Sequence, residues 1–332
     1  MYDKLSGEKK GIVGVGSALM DLLVFEDDAF LKGISDIKGG MTLVDGSFAE
    51  GVLEKVTSEV TVVPGGAACN TIVGVGRLNG AATFVGKRGR DSYGEHFEQD
   101  LKQNGVTPDL VMSDTPTGRV LSVITPDAQR SMFTYLGAAS ELAPEEISPE
   151  TFAGAAIVLI EGYLVFNQAL MTKALASAKE AGALVAMDLA SFTVVEEALS
   201  FIKEEVIPAV DILIANEDEA RAFTGLSDEA AALDEMSRCA DVAVLKLGSR
   251  GSRIAVDGTV TEVAPVSGGT IVDTTGAGDL WAAGFLYGMV MGYSAETCGN
   301  IASACGYEVC CVTGADIPEA GWARIRNTLP AS

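Results

Sequence analysis

A chain of 332 residues is long enough for one large α/β domain with an insertion, or for two ordinary domains. Hydrophobic residues make up 48% and charged ones 21%, and no window approaches the roughly 20 uninterrupted apolar residues of a membrane-crossing helix, so a soluble cytoplasmic protein without a membrane partner is expected. The net charge of −23 argues against nucleic acid as a partner, because that binding needs Lys and Arg to displace counterions, and it obliges any phosphate site to work through local amides and bound cations.

The N-terminal MYDKLSGEKK lacks the apolar core and cleavage site of a secretory leader. GIVGVGS (11–17) then reads as the first strand. Its extension GIVGVGSALMD hints at a dinucleotide fingerprint, but Leu19 stands where the third glycine belongs, and the acidic residue comes too early for a ribose ligand. TVVPGG (61–66), AATFVGKRG (81–89), AAIVLIEGYL (155–164), ALVAMDLA (183–190), VDILIANE (210–217) and VAVLKLGS (242–249) also read as strands, several apolar on both faces. Between them lie helical patterns near 67–79, 168–181, 195–206 and 228–239. That alternation predicts a doubly wound α/β fold with a mostly parallel central sheet and helices on both faces.

The segment SYGEHFEQDLKQNG reads as an exposed amphipathic helix and carries His96, the chain's one histidine, which makes hydrolase triads and multi-histidine metal sites poor fits. From 107 to 137 polar and apolar residues alternate around TPDAQ, predicting a β-hairpin. With part of 18–46 it would form a small β-sheet lid over a cleft, discontinuous within a single domain spanning 1–332. Cys69, Cys239, Cys298, Cys305, Cys310 and Cys311 show no C-x-x-C spacing and read as small core residues rather than disulfides or zinc ligands. No G-x-x-x-x-G-K-[ST] phosphate loop occurs.

The chemistry concentrates in IVDTTGAGDLWAAGFLYGMVMG (271–292), where a strand-like start gives way to a Gly-rich turn and an apolar helix. Gly276, Ala277 and Gly278 let the backbone approach a ligand, so that amides at the positive end of the helix dipole converge on an anion. Asp279, in the first helical turn, can take the proton of an attacking hydroxyl while those amides stabilise a transferring phosphoryl group. A plain helix cap would use similar residues.

DTTGAGDLWAAGFLYG resembles the C-terminal signature of the ribokinase-like (PfkB) carbohydrate and nucleoside kinases, and PGGAACNTIVGVGRLNGAATFVGKRGRDSYGEHFEQDLKQNGV (64–106) resembles their N-terminal one. The resemblance spans essentially the whole chain and implies an ATP-dependent phosphotransferase with a large α/β domain and a β lid. MTLVD (41–45), RSMFTYLGAASEL (130–142) and EGYL (161–164) resemble bacterial adenosine-kinase-like members, which makes adenosine the leading acceptor, with ribose, fructose or another nucleoside open.

The resemblance also implies residue roles. Asp279 would be the base, with Gly276, Ala277 and Gly278 forming the anion hole. Asp21, Gly65, Gly66 and Asn70 match positions that bind sugar hydroxyls, and Arg130 at the lid edge would reach substrate or phosphates on closure. Asn216 and Glu219 match the N-x-x-E element, which helps to hold water-coordinated Mg²⁺ against ATP. LGSRG (247–251) resembles the turn under the nucleotide, with Gly248 and Gly251 close to it; Lys246 stands where relatives often carry Thr, its ammonium placed for a phosphate or for a neighbouring carboxylate. Ser303 occupies a helix position near the adenine. Asp273 and Thr275 match residues that hold a monovalent cation such as K⁺ in part of the family, with carbonyls from 312–316. Family lids pair in some homodimers and stand alone in monomers. A non-catalytic sugar or nucleoside sensor would keep Asp21 and Asn70 without needing Asp279.

Overall fold

Ala155–Glu161 is buried at every position, and its side chains alternate between two cores: Val158 and Ile160 enter one, Ile157 and Leu159 the other. Such a strand belongs in the interior of a sheet covered on both faces. A computed structural model, describing Leu5 and residues 10–36, 38–127 and 129–330, shows that sheet. The rest of the N-terminal stretch read for a leader lies outside the described residues.

In chain order the strands are β1 (Gly11–Val15), β2 (Leu19–Phe25), β3 (Gly40–Leu43), β4 (Thr61–Gly65), β5 (Ala82–Gly89), β6 (Val106–Ser113), β7 (Gly118–Ile124), β8 (Arg130–Tyr135), β9 (Ala155–Glu161), β10 (Leu184–Asp188), β11 (Ile212–Asn216), β12 (Val242–Lys246), β13 (Ser252–Val256) and β14 (Thr259–Val263). The large sheet runs β14-β13-β12-β11-β10-β9-β1-β5-β6, parallel from β12 through β6, with β13 and β14 antiparallel at one edge. This is the doubly wound, mostly parallel architecture that the alternating strands and helices predict.

The small sheet runs β3-β8-β7-β2-β4. Leu22, Val24, Leu121, Val123 and Phe133 pack on one of its faces with Leu31 and Val52 from the short helices Asp28–Lys32 and Gly46–Leu53. The alternate side chains, beginning with Asp21 and Val120, are left on the other face. Its make-up differs from the expected 18–46 plus 107–137 in two places. Residues 107–113 fall in β6, an edge strand of the large sheet paired in parallel with β5, and their alternation comes from having one exposed face. TVVPGG, read as a core strand, instead supplies β4 of the small sheet, where Pro64, lacking an N–H, is tolerated at an edge.

The helix Ala277–Val290 is buried at every residue from Leu280 onward. A helix apolar all round needs cover on every side. It packs between the helices Ala295–Cys310 and Ala67–Arg77, and a Cβ at Gly74 would lie 2.5 Å from that of Ala283. This glycine sets how closely the 67–77 and 277–290 helices approach.

Candidate active site

The chain proceeds from β1 to β5 and β6 in one direction and later builds β9 through β12 in the other, so β1 and β9 flank a topological switch point. In open parallel sheets ligands bind beyond the carboxyl ends of strands at such a point. Polar residues end four neighbouring strands there: Glu161 on β9, Asp188 on β10, Asn216 on β11 and Lys246 on β12.

The TTGAGD turn stands against this edge. Gly276, at φ 73°, caps the helix, and a Cβ there would meet Ala315 at 2.8 Å. The N–H of Ala277 donates to the Thr274 carbonyl at 3.2 Å, so that amide is already engaged, whereas the next two belong to the first helical turn, whose amides have no intrahelical acceptor. Because the helices approach closely at Gly74, Asn70 Nδ2 donates to Asp279 Oδ2 at 2.8 Å, and Thr71 Oγ1 donates to the Asp279 carbonyl at 3.1 Å. Burial raises the half-buried Asp279 carboxyl to about 6, the Asn70 bond opposing the rise and the Asp188 charge adding to it.

Lys246 Nζ donates to Asp188 Oδ2 at 2.6 Å, and a Cβ on Gly278 would lie 3.1 Å from the same ammonium. Burial disfavours this charge, but Asp188, Glu219 and Asp279 outweigh it and hold the Lys246 pKa above its ordinary value. Asn216 and Glu219 form a reciprocal cap on the helix Glu217–Thr224: Glu219 Oε2 accepts from the Asn216 N–H at 2.8 Å, Oε1 accepts from Asn216 Nδ2 at 2.7 Å, and Asn216 Oδ1 accepts from the Glu219 N–H at 2.9 Å. Burial pushes the Glu219 carboxyl upward, with Lys246 pulling against it.

On the lid side, a Cβ at Gly65 would fall 2.6 Å from the Asp21 carboxylate, and one at Gly66 2.5 Å from the Ser17 carbonyl. Burial raises Asp21 to about 6, tempered by the Arg130 charge and reinforced by Asp279. Arg130 Nη2 donates to Asp273 Oδ2 at 2.8 Å, tying the small sheet to the turn before the Ala277–Val290 helix. The other donors to Asp273 are Gly314 N–H on Oδ2, and the N–H and hydroxyl of Thr275 on Oδ1.

The remaining expected residues are not among the partners named above. Gly248 adopts φ 53° with open space at its Cβ position. Gly251 is confined by its own hairpin, since a Cβ would meet the Val263 carbonyl at 2.0 Å. Ser303 is buried within the helix Ala295–Cys310. His96 is exposed on the helix Ser92–Gln103, and all six cysteines are free thiols.

Sequence reasoning missed Glu161 and Asp188. Glu161 Oε2 accepts the N–H groups of Ala68 at 3.2 Å and Ser17 at 3.4 Å, fastening the 67–77 helix to the end of β1. Burial raises its carboxyl to about 7, against the pull of those two amides. The available signal was a carboxylate closing a strand otherwise made of apolar residues.

Carboxylates facing an amide-rich helix start, at the switch point of a parallel sheet with a β lid, define a small-molecule phosphotransferase acting on a hydroxyl. Residues 41–320 match the family described as pfkB family carbohydrate kinase. The structure resembles adenosine kinase from Sinorhizobium meliloti with a TM-score of 0.86 and 32% identity, over 97% of this chain and 100% of that one. The sequence is 30% identical to a ribokinase of Arabidopsis thaliana over 72% of this chain and 65% of that protein. It is 28% identical to the adenosine kinase of Saccharomyces cerevisiae over 86% and 90% respectively. This chain belongs to the pfkB family: it is an ATP-dependent kinase of a nucleoside or sugar.

Proposed function

We propose that the acceptor is a nucleoside, adenosine foremost, phosphorylated by ATP with Asp279 as base. The observation that carries the choice of acceptor is the pattern on one face of the lid. Cross-strand pairing aligns Leu43, Thr134, Val120 and Asp21 in one row, and Met41, Met132, Ser122 and Leu23 in the next, so all of these share Asp21's face. Met41 and Leu43 are 42% and 58% exposed there. A hydroxyl-binding carboxylate on the same face as uncovered apolar side chains three strands away suits a ribose carrying a flat base, whereas a free sugar would leave those side chains wet.

In this reading Asp21 and Asn70 hold the ribose against Gly65 and Gly66, and Asn70 also fixes the Asp279 carboxylate through its amide. Asp279 takes the hydroxyl proton as the oxygen attacks the terminal phosphorus, and the amides of Gly278 and Asp279 donate to the phosphoryl oxygens on which charge gathers. Asn216, Gly248 and Gly251 flank the donor nucleotide. Asn216 and Glu219 would hold Mg²⁺ through its waters, a fit with an ion that keeps several waters and with Glu219 oxygens that accept one bond each from Asn216 and can take a second from a water. When bound, that ion neutralises charge on the phosphates. The donors at Asp273 do not fit a K⁺ site: the Arg130 guanidinium and three further N–H or O–H groups take up its carboxylate.

The test is ADP release with ATP and Mg²⁺ across adenosine, other nucleosides, ribose and fructose. Turnover with adenosine or another nucleoside supports the proposal. Turnover confined to ribose or fructose moves the acceptor to sugars, and acceptor binding without any turnover would indicate a sensor.

A further inference from the structure

Lys246 and Asp188 form an ion pair with side chains only 12% and 20% exposed. Removing two charges from water is expensive, and apolar residues of similar volume often stabilise a fold as well or better, so stability alone gives little reason for such a pair. Its location supplies another reason. Asp188 ends β10 and Lys246 ends β12, two strands apart with β11 between them, so the pair spans the carboxyl edge of the sheet, and the ammonium lies against the Gly276–Asp279 turn, 3.1 Å from where a Cβ on Gly278 would stand. Asp188 accepts one of the three N–H bonds that a lysine can donate. Around it gather Asp188, Glu219 and Asp279, whose negative charges all act on the ammonium. A polyphosphate entering a site so rich in carboxylates, on a protein of net charge −23, needs a compensating cation on the core side.

We propose that Lys246 binds the terminal phosphates of the nucleotide at the mouth of the anion hole, and that Asp188 is the positioning residue that aims it. The inference rests on the kinase reading above. Lys246 keeps its Asp188 bond and turns its other N–H groups to phosphate oxygens; no bond to phosphorus is made or broken by either residue. The charged contact favours a triphosphate over the nucleoside moiety alone.

Titration calorimetry on the full chain with Mg·ATP, Mg·ADP and the acceptor, each alone, tests this. Lys246→Met should weaken Mg·ATP about tenfold or more, the scale of a lost charged hydrogen bond, and leave acceptor affinity within about twofold. Lys246→Arg should recover much of the loss, since it keeps the charge. Asp188→Asn should raise KM for ATP with a smaller change in KM for the acceptor. Because unpairing one buried partner can unfold the chain, Lys246→Met combined with Asp188→Leu is the second variant: it should melt near the wild type and still bind Mg·ATP as weakly as Lys246→Met. Equal nucleotide affinity in Lys246→Met and the wild type overturns the proposal, as does an equal loss for nucleotide and acceptor, which marks the pair as scaffold. A wild type that binds neither Mg·ATP nor Mg·ADP overturns the kinase reading itself.

Discussion

Asn70 and Asp279 are 209 positions apart in sequence and joined by a 2.8 Å hydrogen bond from the amide Nδ2 to the carboxylate Oδ2. The bond connects the start of the helix that follows Gly65–Gly66 to the first turn of the helix that follows TTGAG, so the acceptor-side element and the base have a fixed relative placement. Replacing Asp279 with Asn removes the proton acceptor but keeps the shape. Turnover should fall by about a thousandfold, within the range for general-base removal, with acceptor affinity changed little. Steady-state kinetics beside acceptor titration checks both halves.

The acid limb of the pH profile follows from the same pair. As the proposed base Asp279 would have to be ionised, and its carboxyl is raised to about 6, so kcat/KM should decline as pH falls through about 6. Asn70 holds that value down by donating to the charged form. Asn70→Leu should therefore move the limb to higher pH as well as lower the plateau, whereas a residue that only shapes the pocket would lower the plateau alone.

Polar substitution on the lid should separate nucleosides from sugars. Met41→Ser together with Leu43→Ser removes apolar surface worth on the order of 1–2 kcal/mol if a base covers it. KM for adenosine should rise roughly tenfold, while any residual turnover of ribose stays unchanged. An equal rise for both would place the base elsewhere.

Glu161 makes stability depend on pH. Its carboxyl lies at about 7 in the fold and 4.5 in the ordinary state, so the folded protein binds the extra proton between those values. The resulting stabilisation is fully present below about 4.5 and is lost as pH rises through about 7. Melting temperature should decline over that interval, and Glu161→Gln, which can still accept from Ser17 and Ala68, should flatten the decline and melt ~3 °C or more higher at pH 8. A parallel decline in both proteins would exclude Glu161 as its source.

Gly74→Val forces a side chain into the 2.5 Å gap before Ala283. Overpacking of this kind destabilises by about 1–3 kcal/mol, and here it also separates the helices bearing Asn70 and Asp279. Chemical denaturation should register the first effect and kcat the second.

The fold and the Gly-rich helix start were legible because both rest on local patterns. Uninterrupted apolar strands imply a sheet covered twice, and Gly276-Ala277-Gly278-Asp279 before an apolar run implies amides and a carboxylate at a helix start. Membership of the small sheet was less legible: Val106–Ser113 alternates like a lid strand because an edge position exposes one face, and Pro64 hid the role of β4. Glu161 and Asp188 were missed for another reason. A carboxylate at the end of a strand acquires meaning only when the fold brings its partners to it from elsewhere in the chain, and Lys246 lies 58 positions from Asp188.

The rows across the small sheet have an evolutionary consequence. Arg130, Met132 and Thr134 face the cleft only because β8 pairs with β7 in this register. One residue gained or lost between those strands would turn Ser131 and Phe133 inward and carry the guanidinium away from Asp273. On the acceptor reading proposed above, preference is thus encoded partly in the length of a loop, so insertions and deletions there offer relatives a route to new substrates that exchanges the cleft-facing residues without substituting any of them.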